Sequence, residues 1–112
     1  MRRAASFYEV INMTPNIQYE DHRYFAAAQD GSLLAEILFP ARSASVIEVT
    51  RTFVDPSLRG QGMADLLMQK VIAYAQSQGL RLLPSCEYAK RWMDKHPEHQ
   101  ALLYPADSQH RL

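Results

Sequence analysis

Apolar and polar residues in the first half of the chain follow the spacing of β-strands. Residues 17–19 and 24–28 flank a charged segment at residues 20–23, which predicts two short strands or one bulged strand. Asp30 and Gly31 predict a hairpin turn, and residues 33–39 predict the strand that follows it, ended by Pro40.

Residues 46–54 form the clearest strand pattern, because they are rich in β-branched side chains. Strict alternation places Val46, Glu48, Thr50 and Thr52 on one face of this strand. The other face then carries Ile47, Val49, Arg51 and Phe53. We therefore expect three antiparallel strands joined by short turns at the start of the fold.

The second half of the chain changes to the spacing of helices. Apolar residues recur at three- and four-residue steps: Met63, Leu66, Leu67, Val71, Tyr74 and Ala75. Gly79 is placed to end this helix, and residues 80–83 predict a short buried strand. Residues 87–95 predict a second helix that stops before His96 and Pro97.

This order of elements predicts the fold class α+β, a mostly antiparallel twisted sheet of four or five strands. A helix between two strands is a crossover, so the sheet should be mixed. We expect one domain over residues 1–112 with its core at about 17–104, to which residues 102–104 contribute. Residues 1–15 would be an N-terminal extension and residues 105–112 a polar tail.

Composition narrows the class of protein. Twelve basic residues balance twelve acidic ones, so no net field draws the protein to nucleic acid or to an anionic membrane. The apolar runs are far shorter than the roughly 20 residues of a membrane span. Cys86 is the single cysteine and has no internal partner for a disulfide. That favours a reducing compartment, and we expect a cytoplasmic protein.

A glycine-containing segment joins the third strand to the first helix, and its residues are Arg59, Gly60, Gln61, Gly62, Met63 and Ala64. Glycine allows close approach of the backbone to a ligand, and the first N–H groups of a helix have no intrahelical partner. The helix dipole adds positive charge there, which favours a phosphate or pyrophosphate. The same glycines could instead serve only a tight connection between strand and helix.

This segment resembles the Arg/Gln-x-x-Gly-x-Gly/Ala signature of the GNAT superfamily of N-acetyltransferases, matched by Arg59, Gly62 and Ala64. A second stretch is similar to the Pro-x-Cys-x-Tyr segment of the minimal GNAT proteins of about 100 residues. It comprises Leu83, Pro84, Ser85, Cys86, Glu87 and Tyr88, followed by Trp92, His96 and Pro97. The resemblance extends over residues 17–103 and implies a GNAT-like domain.

The resemblance implies an acetyl-CoA site along the third strand, with no metal. Backbone groups of Phe53 and Val54 would pair with the pantetheine amides. N–H groups from Arg59 or Gly60 through Gln61, Gly62 and Met63 to Ala64 would hold the pyrophosphate. Ser85, Cys86 and Tyr88 would lie near the thioester sulfur.

The candidate catalytic groups include residues of the third strand. Small relatives often carry His-Thr where this chain has Arg51 and Thr52, and an arginine cannot act as a general base. Arg51 could recognise an acidic acceptor or a coenzyme phosphate instead. Glu48 and His22 are the candidate bases. The alternative for Glu48 is a solvated or ion-paired strand residue, and the alternative for His22 is a residue of a polar turn.

Two further side chains could take part in the chemistry. Tyr88 could protonate the leaving thiolate or be an interior aromatic. Cys86 could be a nucleophile, a contact in the pantetheine tunnel, or a buried apolar residue.

The remaining residues of the second helix and those just after it are not expected to take part in the chemistry. Lys90 and Arg91 are expected to be solvated, with a coenzyme phosphate as the alternative, and Trp92 and Met93 are expected in the core. His96 and His99 lack the further ligands of a zinc site.

The leading hypothesis is transfer of an acetyl group to a primary amine of a small molecule or protein. A non-catalytic coenzyme-binding module and a protein-interaction domain are the alternatives.

Overall fold

The computed structural model describes residues 16–104, so the predictions for residues 1–15 and 105–112 lie outside the described residues. The strands, in chain order, are β1 (Gln18–Tyr19), β2 (Arg23–Ala27), β3 (Leu33–Leu38), β4 (Ala41–Ser43), β5 (Val46–Val49), β6 (Arg51–Val54) and β7 (Arg81–Pro84). The α-helices are α1 (Met63–Gln78) and α2 (Glu87–Asp94), and Pro56–Leu58 and Pro97–Leu102 form 3₁₀-helices.

The strands form two sheets rather than one. The first has the order β1-β2-β3-β6 with antiparallel neighbours, and the second has the order β4-β5-β7. Within the second sheet β5 and β7 are parallel and α1 crosses between them, which confirms the predicted crossover helix and the α+β fold. The strands are more numerous than the four or five expected, partly because the short, exposed β4 carries no alternating pattern.

The predicted continuous strand at residues 46–54 is wrong, because the chain changes sheet at Thr50. Val49 belongs to β5, which pairs with β7, whereas β6 pairs with β3. Ile47 and Val49 lie in the core, yet beyond the break it is Val54 that packs against the core. Arg51, expected on the face of Ile47, has a side chain that is 52% exposed. The alternation therefore shifts by one residue at Thr50, as it does at a β-bulge.

Both helices bury one face in a single core. The buried residues of α1 recur at helical spacing and are Met63, Leu67, Met68, Val71, Ile72 and Ala75. The residue after α1, Gly79, has a φ of 69° and its N–H donates to the carbonyls of Ala75 and Gln76, so this predicted end is confirmed. Trp92 and Met93 of α2 are buried in the same core. Leu103 makes a bridge to Leu82 and packs against the core, as predicted.

Candidate functional site

The connection from β6 to α1 is a turn that contains two glycines. Gly60 and Gly62 have φ values of 82° and 80°, a region that L-residues with a Cβ rarely adopt. A Cβ built at either glycine would meet no atom within 4 Å. The backbone conformation, rather than crowding, therefore explains the glycines, and the space beside the turn is open to a ligand.

The turn presents the N-terminus of α1 without a side-chain cap. Gly62 is the N-cap residue and makes no side-chain hydrogen bond to the helix. The first N–H groups of this 16-residue helix are available to a ligand at the positive end of the helix dipole. The preceding 3₁₀-helix fixes the approach of the chain, because Asp55 accepts hydrogen bonds from the Ser57 N–H at 3.0 Å and the Ser57 hydroxyl at 2.5 Å.

A surface pocket of about 200 Å³ opens at this turn. Its lining residues are Val54, Leu58, Arg59, Gly60, Gly62, Met63, Ala64, Asp65 and Tyr88. Most of the residues predicted at the turn thus share one pocket with Tyr88, which comes from α2. Gln61 lies outside this lining, and its side-chain amide donates to the carbonyl of Ser57 at 3.4 Å.

The edge of β6 opposite β3 leads into this pocket. β6 is the last strand of its sheet, and the Asp55 N–H donates to the carbonyl of Leu34 in the direction of β3. Because neighbouring residues of a strand direct their backbone groups to opposite sides, the groups of Phe53 face β3 and those of Thr52 and Val54 face the open edge. The Val54 carbonyl accepts a hydrogen bond from Arg59 Nε at 3.0 Å.

The start of α2 faces this open edge. The N–H groups of Ser85 and Cys86 both donate to the carbonyl of Val49, at 3.0 and 3.1 Å, and so tie the beginning of α2 to the end of β5. The Sγ atom of Cys86 accepts from the Ala89 N–H at 3.4 Å as the N-cap of α2. It also lies 3.5 Å from the Thr52 hydroxyl. The gap between β6 and α2 is thus narrow at Cys86 and opens into the pocket between Val54 and Tyr88.

Tyr88 offers a hydroxyl with proton-donor character. Burial, and then electrostatic repulsion from Asp65 and Cys86, raise the pKa of Tyr88 above its ordinary value of 10.0. Within residues 16–104 the Tyr88 hydroxyl has no hydrogen-bond partner, whereas Asp65 accepts from Trp92 Nε1 at 2.7 Å. Tyr88 is therefore protonated at neutral pH and free to donate to a bound molecule.

Glu48 is poorly suited to act as a base. Its carboxylate accepts hydrogen bonds from the Ser85 hydroxyl and from Arg42 Nη1, the latter at 2.8 Å. These two bonds lower the pKa of Glu48, which makes the carboxylate a weaker proton acceptor. In this contact the Ser85 hydroxyl donates its hydrogen to Glu48.

Arg51 belongs to an ion-pair cluster on the sheet face opposite the helices. Arg51 Nε and Arg23 Nε donate to the two oxygens of Glu36 at 2.9 and 2.8 Å. Burial raises the pKa of Glu36, but the two arginines outweigh it, and the net pKa is lowered. The guanidinium of Arg51 also lies over the ring of Phe53, 5.3 Å from its centroid.

None of His22, His96 and His99 lines the pocket at the glycine turn. The ring of His22 packs against Phe39 and Tyr74 at centroid distances of 5.7 and 6.0 Å. Tyr74 is 11 residues along α1 from Met63, or about 16 Å at the helical rise, so His22 is not placed as a base for chemistry at the turn. His96 and His99 stack with Trp92. No group of three or more His, Cys, Asp or Glu side chains in residues 16–104 is arranged to hold a metal ion.

Sequence reasoning missed two residues of the site. The sequence places Thr52 on one face of a strand and beside Arg51, but its contact with Cys86 depends on the sheet change at Thr50. Asp65 carries no functional signal of its own in the sequence, but its carboxylate accepts a hydrogen bond from the indole N–H of Trp92 and so joins the two helices. The signal for Asp65 was the tryptophan itself, because a buried indole N–H needs an acceptor.

The solved structures similar to this chain have the same fold. A GCN5-like protein from Staphylococcus aureus superposes with a TM-score of 0.70 at 24% identity, over 82% of this chain and 90% of that one. A GNAT family acetyltransferase from Elizabethkingia anophelis with acetyl-CoA bound has a TM-score of 0.51 at 14% identity, over 69% and 51%.

N-acetylglutamate synthase from Neisseria gonorrhoeae, complexed with coenzyme A and N-acetyl-glutamate, has a TM-score of 0.52 at 18% identity. This match covers 66% of the present chain and 18% of the synthase chain. No curated protein matches the sequence.

The fold and the site together define a class: an α+β protein with a glycine turn at an uncapped helix N-terminus beside an open strand edge. The sequence matches the family model of GCN5-related N-acetyl-transferases over residues 23–102. The chain therefore belongs to the GCN5-related N-acetyl-transferase family, a family of acyltransferases. No helix among residues 16–104 has the length and apolar character needed to cross a membrane.

Proposed function

We propose that this protein transfers the acetyl group of acetyl-CoA to a primary amine, with the coenzyme pyrophosphate bound at the glycine turn. One observation carries the proposal: two positive-φ glycines at an uncapped helix N-terminus open into a pocket that reaches Tyr88 and the edge of β6. The coenzyme in the Elizabethkingia and Neisseria structures supports the choice of ligand. A cytoplasmic location stays a prediction.

The turn fits a pyrophosphate in shape and charge. The N–H groups from Gly60 to Ala64 would hold the phosphate oxygens, and the absence of a Cβ at Gly60 and Gly62 leaves the approach open. Arg59 is exposed beside the turn and adds a cation. Its guanidinium would keep Nη groups for a phosphate even while Nε remains on the carbonyl of Val54.

The pantetheine arm would lie along the open edge of β6. The two amides of the arm would pair with Thr52 and with the N–H of Val54, whose backbone groups face that edge. This assignment replaces Phe53, predicted from the sequence, because its backbone groups face β3. The arm would then end at the narrow gap where Thr52 and Cys86 meet.

The reaction requires one nucleophile and one acid. The nitrogen of a neutral amine attacks the thioester carbonyl, and collapse of the tetrahedral intermediate breaks the carbon–sulfur bond. Tyr88, whose hydroxyl is protonated and free of partners in residues 16–104, would donate a proton to the departing thiolate. The acetylated nitrogen, which carries an extra proton after the attack, would release it to solvent, and the Tyr88 phenolate would regain a proton from solvent. We assign no base on the protein, since Glu48 is ion-paired and Arg51 stays charged. The amine would therefore enter as its neutral fraction.

We assign Cys86 to the wall of the pantetheine site rather than to covalent catalysis. A cysteine nucleophile needs a neighbouring base or another means of forming the thiolate. Within residues 16–104 the hydrogen-bond partners of its Sγ are the Thr52 hydroxyl and the Ala89 N–H, and neither can remove the proton. Direct attack by the amine is the simpler path through this site.

A product assay tests the proposal. The protein is incubated with acetyl-CoA and a panel of small amines, lysine-containing peptides and peptides with free N-termini. Release of coenzyme A and the mass of each acceptor are followed together. An acceptor that gains 42 Da, an acetyl group replacing hydrogen, in step with thiol release supports the transferase. Tight binding of acetyl-CoA with no transfer across the panel would instead favour the non-catalytic coenzyme-binding module.

A further inference from the structure

A second surface groove of about 300 Å³ adjoins the pocket at the glycine turn. Its walls come from α1, α2 and the residues just beyond α2, and the lining residues are Asp65, Tyr88, Arg91, Trp92, Lys95 and His96. Asp65 and Tyr88 line the pocket at the turn as well. A ligand anchored at the turn can therefore extend directly into the groove.

One wall of the groove is a fixed aromatic surface. Trp92 is only 4% exposed, and its indole N–H donates to Asp65 at 2.7 Å. The His96 ring stacks on Trp92 with centroids 3.6 Å apart and planes 12° apart. His96 Nδ1 lies 2.7 Å from the Trp92 carbonyl, which can only accept, so Nδ1 carries the hydrogen. The wall is held in place before any ligand arrives.

Two cations, Arg91 and Lys95, also line the groove. Arg91 and Lys95 are four residues apart and lie on the same side of the chain. Arg91 Nη1 is 3.6 Å from Glu87 Oε2, but both side chains are mostly exposed, at 60% and 72%, so this pair is weak. Lys95 makes no side-chain hydrogen bond or salt bridge within residues 16–104. The opposing carboxylate, Asp65, has both oxygens occupied, by Trp92 and by Gln69 Nε2 at 2.7 Å.

We propose that this groove binds the nucleoside end of coenzyme A, with Arg91 and Lys95 on the phosphate monoester of the ribose. The inference rests on the proposed function, because it requires the coenzyme pyrophosphate at the turn. A phosphate monoester carries up to two charges, and a guanidinium with an ammonium beside it suits such a group. Arg91 lies about 5 Å and Lys95 about 10 Å beyond Tyr88 along the chain, at the helical rise per residue.

The proposal predicts that the protein prefers coenzymes that carry the ribose phosphate. Coenzyme A and 3′-dephospho-coenzyme A share the pyrophosphate and the pantetheine arm, and they differ only in the ribose phosphate. Charge-assisted hydrogen bonds to that phosphate should make coenzyme A bind at least about tenfold more tightly than the dephospho form. The glycine turn alone would bind both forms equally.

Binding is measured by calorimetry and by the fluorescence of Trp92, the single tryptophan of the chain, which reports on the groove itself. The variant Arg91→Ala/Lys95→Ala should bind coenzyme A as weakly as the wild type binds the dephospho form, and its affinity for the dephospho form should not change. Lys90→Ala is the control, because Lys90 is exposed on α2 but does not line the groove. It should retain the full preference.

Three outcomes would overturn the proposal, and they are distinguishable. Equal affinity of the wild type for the two coenzymes would refute the phosphate site while leaving the glycine turn as the coenzyme site. If the double variant loses the same factor of affinity for both coenzymes, the two cations do not bind the ribose phosphate. If neither coenzyme binds at millimolar concentration, the proposed function fails and this inference fails with it.

Discussion

Gly62→Asp separates the role of the glycine turn in binding from its role in folding. Gly62 and Gly79 lie at opposite ends of α1 with φ values of 80° and 69°, and an added Cβ would meet no atom within 4 Å at either. A side chain in this conformation costs about 1 kcal/mol at each position. Aspartate is favourable by about 0.5 kcal/mol at the N-terminus of a helix and unfavourable at its C-terminus. Gly79→Asp should therefore destabilise the fold more than Gly62→Asp.

Affinity for acetyl-CoA should change in the opposite order. A carboxylate about 5 Å from a phosphate charge is repelled by about 3 kcal/mol at an effective dielectric constant of about 20. That repulsion weakens binding by more than about 100-fold. Gly79 is separated from the turn by the 16 residues of α1, or about 24 Å, well beyond the screening length of about 8 Å. Gly79→Asp should bind acetyl-CoA like the wild type.

Calorimetric titration gives the affinities, and urea unfolding without ligand gives the stabilities. We expect Gly62→Asp to be nearly as stable as the wild type but unable to bind acetyl-CoA. We expect Gly79→Asp to be less stable but to bind acetyl-CoA with the affinity of the wild type. An unchanged dissociation constant for Gly62→Asp would show that the turn is only a connection. A comparable loss of affinity in Gly79→Asp would show that the effect reports the fold and not the pocket.

Further predictions follow from the side chains around the pocket. Tyr88→Phe should lower kcat by about 100-fold with little change in the acetyl-CoA dissociation constant, and a variant with full kcat would remove Tyr88 as the acid. The kcat/KM for the amine should rise about tenfold per pH unit towards the pKa of the acceptor; a break near pH 7 that is the same for amines of different pKa would reveal a base on the protein. Cys86→Ala should keep kcat within about threefold, and a hydroxylamine-labile acetyl adduct on wild-type Cys86 together with an inactive variant would contradict direct attack. Glu36→Gln should cost about 2 kcal/mol at pH 7. Because the pKa of Glu36 is lowered in the fold, its contribution is present above the unfolded pKa of about 4.3 and is lost as pH falls through the folded value. Urea unfolding should thus show the gap to wild type closing below about pH 4, and a pH-independent gap would refute the ion-pair explanation.

Helical spacing in the sequence predicted α1 well because its buried residues form one stripe. Met63, Leu67, Val71 and Ala75 recur every four residues and all pack in the core. The glycine turn was predictable for a related reason, since positive φ restricts the residue type at Gly60 and Gly62 regardless of tertiary context. Both signals are local, and local signals are readable from a single chain.

The sheet change at Thr50 was not predictable in the same way. The β-branched pattern runs through Thr50 without interruption, and only pairing of β5 with β7 and of β6 with β3 breaks it. These pairings join distant segments of the chain. These pairings determine on which face of the sheet the side chains of Arg51 and Phe53 lie.

The contact between Asp65 and Trp92 was equally hidden, because it spans 27 residues and joins two helices. The lowered pKa of Glu48 depends on partners from two other segments, Arg42 and Ser85. The glycine turn could thus be found from the sequence, whereas the electrostatics of the candidate catalytic groups required the fold.

A backbone amide titration by NMR tests the central claim most directly, since it reports the location of the ligand residue by residue. On addition of acetyl-CoA to the labelled protein, the largest shifts should occur at Gly60, Gly62 and Ala64 of the turn, and at Thr52 and Val54 on the open edge of β6. Gly31 and Gly79 should stay near their original positions, because both lie outside the pocket. Shifts confined to other parts of the chain, or no shifts at millimolar acetyl-CoA, would contradict the account.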